Sequence, residues 1–244
     1  MHRARLEFSP GLWLDARRAL WLEGPRVLVV ADLHLGYAWA HRTSGNLLPV
    51  SVAEDTSARL KALTADYAPA ELVLLGDIVH AAVPAEALLR DLRRIGELAS
   101  SMVVRLIAGN HDAKLPALLL KAGLALELRR EFRVGPHLLL HGDGADEAIA
   151  RARLLAARER GGRVIFGHEH PAIQLSDGVT TSARCACFLA GKEALVLPAF
   201  SPWSAGTNIR NGTFLSPYAR QAQLTHTVAI VANKLLPLNF PARA

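Results

Sequence analysis

Five strand-sized apolar runs in this chain each stop at a short block of aspartate, histidine or asparagine, and that pattern constrains the fold more than any other feature. Val27-Leu28-Val29-Val30-Ala31 runs into Asp32-Leu33-His34, and Leu72-Val73-Leu74-Leu75 runs into Gly76-Asp77. Met102 to Ala108 leads to Gly109-Asn110-His111-Asp112, His137 to Leu140 to His141-Gly142-Asp143, and Arg163 to Phe166 to Gly167-His168-Glu169-His170. Continuous runs of this kind suit strands buried on both faces. In an open α/β sheet the carboxyl ends of such strands deliver the residues that follow to a common crevice. A single block can be a helix cap or a solvent-facing turn. Five in succession are poorly explained that way.

Helical segments alternate with the runs. Ser51 to Asp66, Pro84 to Leu98, Leu115 to Lys121 and Asp146 to Arg160 carry apolar residues at helical spacing, with Pro69, Gly123 and Gly161-Gly162 as stop signals. Before them, Phe8 to Leu14 and Ala19 to Leu22 are expected as two strands joined through Asp15-Ala16-Arg17-Arg18. Strands are also expected at Leu124 to Val134, Arg184 to Leu189, Ala194 to Leu197 and Thr227 to Val231, with a loop from Ser201 to Pro217. The C-terminal stretch with Pro237 and Pro241 lacks periodicity and is expected to wrap the surface. No repeat or boundary divides the chain, so one domain spanning 1–244 is expected, and 244 residues bury a sufficient core for it.

A formal charge of +6 favours an anionic partner, but the Lys and Arg residues are scattered, so a small phosphorylated substrate is preferred and nucleic acid stays open. The basic N-terminus is followed by Leu6-Glu7-Phe8-Ser9-Pro10 rather than a signal-peptide core, and no apolar run is long enough to span a bilayer. A cytoplasmic location with no membrane partner is the expectation. Cys185 and Cys187 lie too close along one strand to pair and are expected to be packing residues.

The polar blocks are suited to metal chemistry. In Asp32-Leu33-His34 the two polar side chains fall on the same side of an extended backbone and can grip one ion, and His168 and His170 share that spacing. Mixed carboxylate, carboxamide and imidazole ligands suit Mn, Fe or Zn better than Ca or Mg, and their number suggests two divalent ions, Mn foremost. One carboxylate, Asp77, is suited to bridge them. Such a pair acidifies a bridging water to hydroxide and clamps phosphoryl oxygens during in-line displacement. Asn110 limits negative charge in the cluster. His111 is free to protonate a leaving oxygen, with Asp112 holding its tautomer and raising its pKa.

The ordered blocks DLH, GD, GNHD, HGD and GHEH resemble the motif set of the calcineurin-like metallophosphoesterase superfamily over positions 32 to 170. The resemblance implies a four-layer α/β/β/α sandwich with two mixed sheets. It implies a first metal on Asp32, His34, Asp77 and His170, a second on Asp77, Asn110, His141 and His168, and His111 as the acid or phosphate-stabilising group. The LVVADLHLGY context, His41 to Pro49, GDIVH and Leu197-Pro198-Ala199-Phe200 look like the bacterial DNA ligase-associated members. That likeness implies a functional link to DNA ligase and helicase proteins, and relatives are often homodimers.

The expected activity is therefore hydrolysis of a small or nucleotide-like phosphodiester. The alternatives are nuclease or phosphomonoesterase activity on the same core, or a binding protein that has lost hydrolysis. The short chain argues against a DNA nuclease, since recognised nucleases of the superfamily generally add capping regions. His41 with Arg42, His80, and Trp203 with Asn208 are further candidates for substrate contact, each with an ordinary structural role as the competing explanation; His2, His137 and His226 are expected to be structural or at the surface.

Overall fold

A computed structural model describes residues 4–37, 40–41, 52–80, 85–176, 178, 180, 182–204 and 206–239. Its first sheet opens with a meander of β1 (Arg5–Ser9), β2 (Leu12–Asp15), β3 (Ala19–Leu22) and β4 (Val27–Ala31). It continues in parallel through β5 (Glu71–Leu75), β6 (Val103–Ile107) and the short β7 (Leu128–Arg129). Helices α1 (Val52–Tyr67), α2 (Ala85–Leu98) and α3 (Leu115–Ala122) connect these parallel strands. The change from antiparallel to parallel pairing at β4 makes the sheet mixed.

The second sheet begins with the hairpin β8 (Glu131–Val134) and β9 (His137–Leu140), followed by α4 (Glu147–Glu159) and the parallel strand β10 (Val164–Phe166). It adds β11 (Pro171–Ser176), β12 (Ser182–Gly191), β13 (Ala194–Val196), β14 (Thr207–Asn208), helix α5 (Pro217–Gln221), β15 (Leu224–Val231) and β16 (Lys234–Asn239). Strand β13 lies parallel to β10 and antiparallel to β12, so this sheet is mixed as well.

Alternation along β4 explains the layering. Val27, Val29 and Ala31 pack inward against Ile165, Phe188, Leu195 and Val228 of the other sheet, whereas Leu28 and Val30 pack outward against Leu60, Leu63 and Leu92 of the helices. On the far side, Leu138, Val164 and Phe166 meet Ala150 and Leu154 of α4. The result is the α/β/β/α sandwich with two mixed sheets. Among the described residues no helix is long and apolar enough to cross a membrane.

Several elements differ from the sequence expectation. Phe8 to Leu14 is not one strand: Gly11, with φ of 71°, turns the chain between β1 and β2. Leu124 to Val134 is not one strand but two short ones, Leu128–Arg129 and Glu131–Val134, which belong to different sheets. The stretch containing Pro237 does not wrap the surface but forms β16, which pairs along the whole of its length with β15. Proline is tolerated there because β16 pairs with β15 alone. Cys187 is buried and Cys185 half-buried, both unpaired.

Candidate metal centre

Every polar block that follows an apolar strand reaches the same seam. Asp32 and His34 follow β4, Asp77 follows β5, Asn110 and His111 follow β6, His141 follows β9, and His168 and His170 follow β10. The backbone there is held in an unusual state. Asp32, His34, Asp77, His168 and His170 have φ of 54°, 46°, 45°, 65° and 45°, a left-handed region that non-glycine residues seldom occupy. Strain of this kind concentrates at functional sites, where the surrounding structure over-determines it. Three glycines make the close approach possible. A Cβ on Gly76 would lie 2.0 Å from His141 Nδ1, one on Gly109 2.2 Å from Asp77 Oδ1, and one on Gly167 2.3 Å from Asp32 Oδ2.

Two groups of donor atoms result. Asp32, His34, Asp77 and His170 form one and Asp77, His141 and His168 the other, with the ligand atoms of each group within 4.8 Å of one another. Asp77 belongs to both. In the first group, His34 Nε2 and His170 Nε2 face each other at 3.2 Å, and His170 Nε2 lies 3.5 Å from Asp32 Oδ1. In the second, His141 Nε2 is 3.1 Å from His168 Nδ1 and 3.4 Å from Asp77 Oδ1. Asn110 joins this second group, with its Oδ1 3.1 Å from His141 Nε2.

Backbone donors hold the carboxylates. His111 N–H donates to Asp77 Oδ1 at 2.9 Å, and His168 N–H donates to both oxygens of Asp32, which ties the end of β10 to the end of β4. Burial pushes the carboxyl of Asp77 up, but His141 and the His111 N–H outweigh it and hold it well below the usual carboxylate range. Burial is also the largest influence on His34, pulling it down to about 4, so it stands neutral with a lone pair to offer. His168 is lowered for the same reason and by its neighbour His141. His141 resists burial because Asp77 and Asp32 favour its charge, and it is raised to about 9. His170 is raised likewise by Asp32.

The donor set fits divalent cations. Bonds of about 2.0–2.2 Å to a tetrahedral ion separate its ligand atoms by about 3.3–3.6 Å, close to the spacings just described. Facing imidazole nitrogens without a cation between them bring lone pairs or protons into opposition. A cation accepts both lone pairs. His170 Nδ1, turned away from the cluster, meets Ser204 Oγ at 2.5 Å, the kind of outer partner that fixes the orientation of a ligating imidazole.

The remaining candidates separate clearly. His111 is half-buried, its Nε2 3.8 Å from Asp77 Oδ2, and it lines a cavity of about 380 Å3 with Asp77, Asn110, His168 and His170. Asp112 does not orient the imidazole of His111 as expected. Its two oxygens accept the backbone N–H groups of Val79 and Gly109, so it joins the loops after β5 and β6 instead. His80 stacks on His111 with centroids 5.5 Å apart and planes at 17°, meets His34 edge-on at 5.4 Å, and packs against Tyr37, which in turn packs against His41. Asn208 caps the short helical turn after β14, and Trp203 is half-buried. Arg42 and His2 lie outside the described residues. His137 accepts the Arg163 N–H and His226 packs edge-on against Phe8.

Sequence reasoning missed Ser204 and Glu169. Glu169 is buried and accepts the backbone N–H of Ser216, which anchors the segment before α5 beside the site. No local pattern marks either role, because the partners lie 34 and 47 residues away.

The family model described as calcineurin-like phosphoesterase matches residues 25–144, a span that contains every block except the one with His168 and His170. Among solved structures the chain is similar to the nuclease MPE of Pseudomonas putida, at 23% identity and a TM-score of 0.66, covering 98% of this chain and 100% of that one. It also matches Yfce, a phosphoesterase from E. coli, at 15% identity and a TM-score of 0.39, over 84% of this chain and 88% of that one. No curated protein sequence matches it.

Proposed function

We propose, from the premise that the chain belongs to the calcineurin-like metallophosphoesterase superfamily, that this hydrolase cleaves phosphodiesters of a nucleotide-like kind with two divalent ions, manganese by preference. The observation that carries this reading is the pair of donor clusters sharing Asp77. Asp32, His34, Asp77 and His170 would hold one ion, and Asp77, Asn110, His141 and His168 the other. When bound, the ions supply Lewis acidity toward phosphoryl oxygens and acidify water.

The protein's own part is positioning and proton supply. His111 faces the cavity beside Asp77, half-exposed, and is the group that donates to the leaving oxygen or steadies a phosphoryl oxygen. Its backbone N–H pins the Asp77 carboxylate at the same time, so one residue sets both the shared ligand and the acid. Asn110 supplies a neutral oxygen, which leaves the ions more acidic than a third carboxylate would.

A specific observation favours nucleic acid as the diester. The argument that a chain this short leaves no room for a nuclease loses its force, because a protein described as a nuclease is covered over 100% of its own length. The same reading extends to a place beside DNA ligase and helicase proteins, to a cytoplasmic location and to a homodimer. The primary test is hydrolysis of an activated aryl phosphodiester beside its monoester by metal-stripped and Mn-reconstituted protein. The diester should turn over faster and only with metal. Preference for the monoester would replace this reading with a phosphatase, and no turnover of either with a binding protein.

A further inference from the structure

The cavity beside Asp77 has one wall unlike the rest. Asp77, Asn110 and His111 line it from the first sheet and His168 and His170 from the second, and Leu215, between β14 and α5, is the single aliphatic side chain among its lining residues. Leu215 is 61% exposed. One exposed leucine carries little meaning by itself, because much of any protein surface is apolar. What sets Leu215 apart is how firmly the chain is held at that point. Its neighbour Phe214 is buried in the core that α4 covers. The N–H groups of Leu215 and Ser216 both donate to the buried carboxylate of Glu169, between His168 and His170. The Leu215 carbonyl accepts from Arg220 Nη1 at 2.6 Å, and Arg220 Nε pairs with Glu147 of α4 at 2.9 Å. Ser216 Oγ donates to the carbonyl of Gly142, the residue after His141, at 2.7 Å. The backbone on both sides of Leu215 is therefore fastened, and it presents the side chain to the cavity rather than to the core.

An aliphatic wall gives nothing to a phosphoryl group; it contributes only by covering apolar surface that a substrate brings. The cavity, of about 380 Å3, has room for more than the phosphoryl group. His111 reaches it from the first sheet and Leu215 from the second, so the ester oxygen that His111 serves and the group that Leu215 covers belong to different arms of one diester. Resting on the phosphodiesterase reading, we infer that Leu215 is a specificity-determining residue, covering an apolar, ring-bearing group on the ester arm that stays on phosphorus. Glu169 acts through it as a positioning residue.

Two diesters with the same leaving group isolate that arm: bis(para-nitrophenyl) phosphate keeps an aromatic ring on phosphorus, and methyl para-nitrophenyl phosphate keeps a methyl group. Both are assayed with the Mn-loaded wild type, Leu215→Ser, Leu215→Met and, as a control, Leu120→Ser on α3, where the leucine is 81% exposed and outside the cavity. Leu215→Ser should lower kcat/KM on the bis-aryl diester about tenfold, chiefly through KM, and leave the methyl diester and the Mn content nearly unchanged. Leu215→Met and Leu120→Ser should keep the wild-type ratio between the two diesters. An unchanged ratio in Leu215→Ser, an equal loss on both diesters, or the same fall in Leu120→Ser overturns the inference and leaves the phosphodiesterase reading standing. A wild-type protein that turns over para-nitrophenyl phosphate but neither diester overturns both.

Discussion

Gly109 carries no side chain, yet it decides where the carboxylate of Asp77 sits. A methyl group there would lie 2.2 Å from Asp77 Oδ1 and 2.3 Å from its backbone nitrogen, so one of them must move. Because Asp77 belongs to both donor groups, a shift of a few tenths of an ångström reaches both candidate metal sites at once. Gly109→Ala is expected to weaken Mn binding about 10- to 100-fold, as displaced supports of metal ligands do. Titration of Mn into the stripped variant checks it, and an unchanged affinity would show that Asp77 is not the shared ligand. His111 and Asp77 separate by the same logic. Asp77→Asn should reduce metal content and turnover together, whereas His111→Ala should cost turnover while most of the metal is retained, read by elemental analysis beside kcat. A His111→Ala protein that loses metal in proportion to activity would make His111 a ligand rather than an acid.

At the scale of elements, Asp15 at the end of β2 joins the first sheet to α1. It is buried, accepts from the Arg17 backbone and guanidinium and from the Tyr67 hydroxyl, and lies 3.4 Å from Arg5 Nε. Burial pushes its carboxyl up, but the bonds from Arg17 and Tyr67 outweigh burial and hold it below its usual value of 3.8. Stability from a lowered carboxylate is full above that ordinary value, shrinks as the pH falls below it and is gone once the pH passes the folded-state value. Asp15→Asn should therefore cost about 2 kcal/mol at neutral pH, and the gap from wild type in urea melts should close under strong acid. A gap that stays constant with pH would assign the cost to packing.

Which elements were legible follows from the same physics. Strands β4, β5, β9 and β10 stood out because burial on both faces demands nearly continuous apolar runs, and β6 stood out by its apolar residues on either side of Arg105. The metal-site candidates stood out because they sit where those runs stop. Strand β11, with Pro171 at its start and Gln174 and Ser176 within it, and β16, with Pro237, lie toward sheet edges, where one-sided burial leaves a weak pattern. Helix α5 has 5 residues, too few for a helical period to register. The misjudged role of Asp112 has another cause: adjacency to His111 in sequence suggested a partner, while the turn after β6 aims its carboxylate at the Val79 N–H, 33 residues away.

For the whole molecule, the origin of the ligands matters more than their number. Asp32, His34 and Asp77 come from the first sheet, and His141, His168 and His170 from the second, so an ion in either group would bind across the sandwich. Five of these residues hold left-handed conformations, each costing on the order of 1 kcal/mol. Coordination would offset that cost, and without it the seam should be the weakest part of the interface. An ion present at about 1,000 times its Kd stabilises a folded protein by about 4 kcal/mol. For a chain of this size that corresponds to a Tm shift of about 10 °C. Chelation should lower Tm by that order, and Mn should restore it in a concentration-dependent way. Hydrogen exchange should locate the loss at the ends of β4, β5, β9 and β10, with the outer faces of α2 and α4 little changed. A chelated protein with the same Tm and the same exchange pattern would mean that the two sheets are held by their apolar interface alone, and that the strained ligand backbone is maintained without any contribution from the ions.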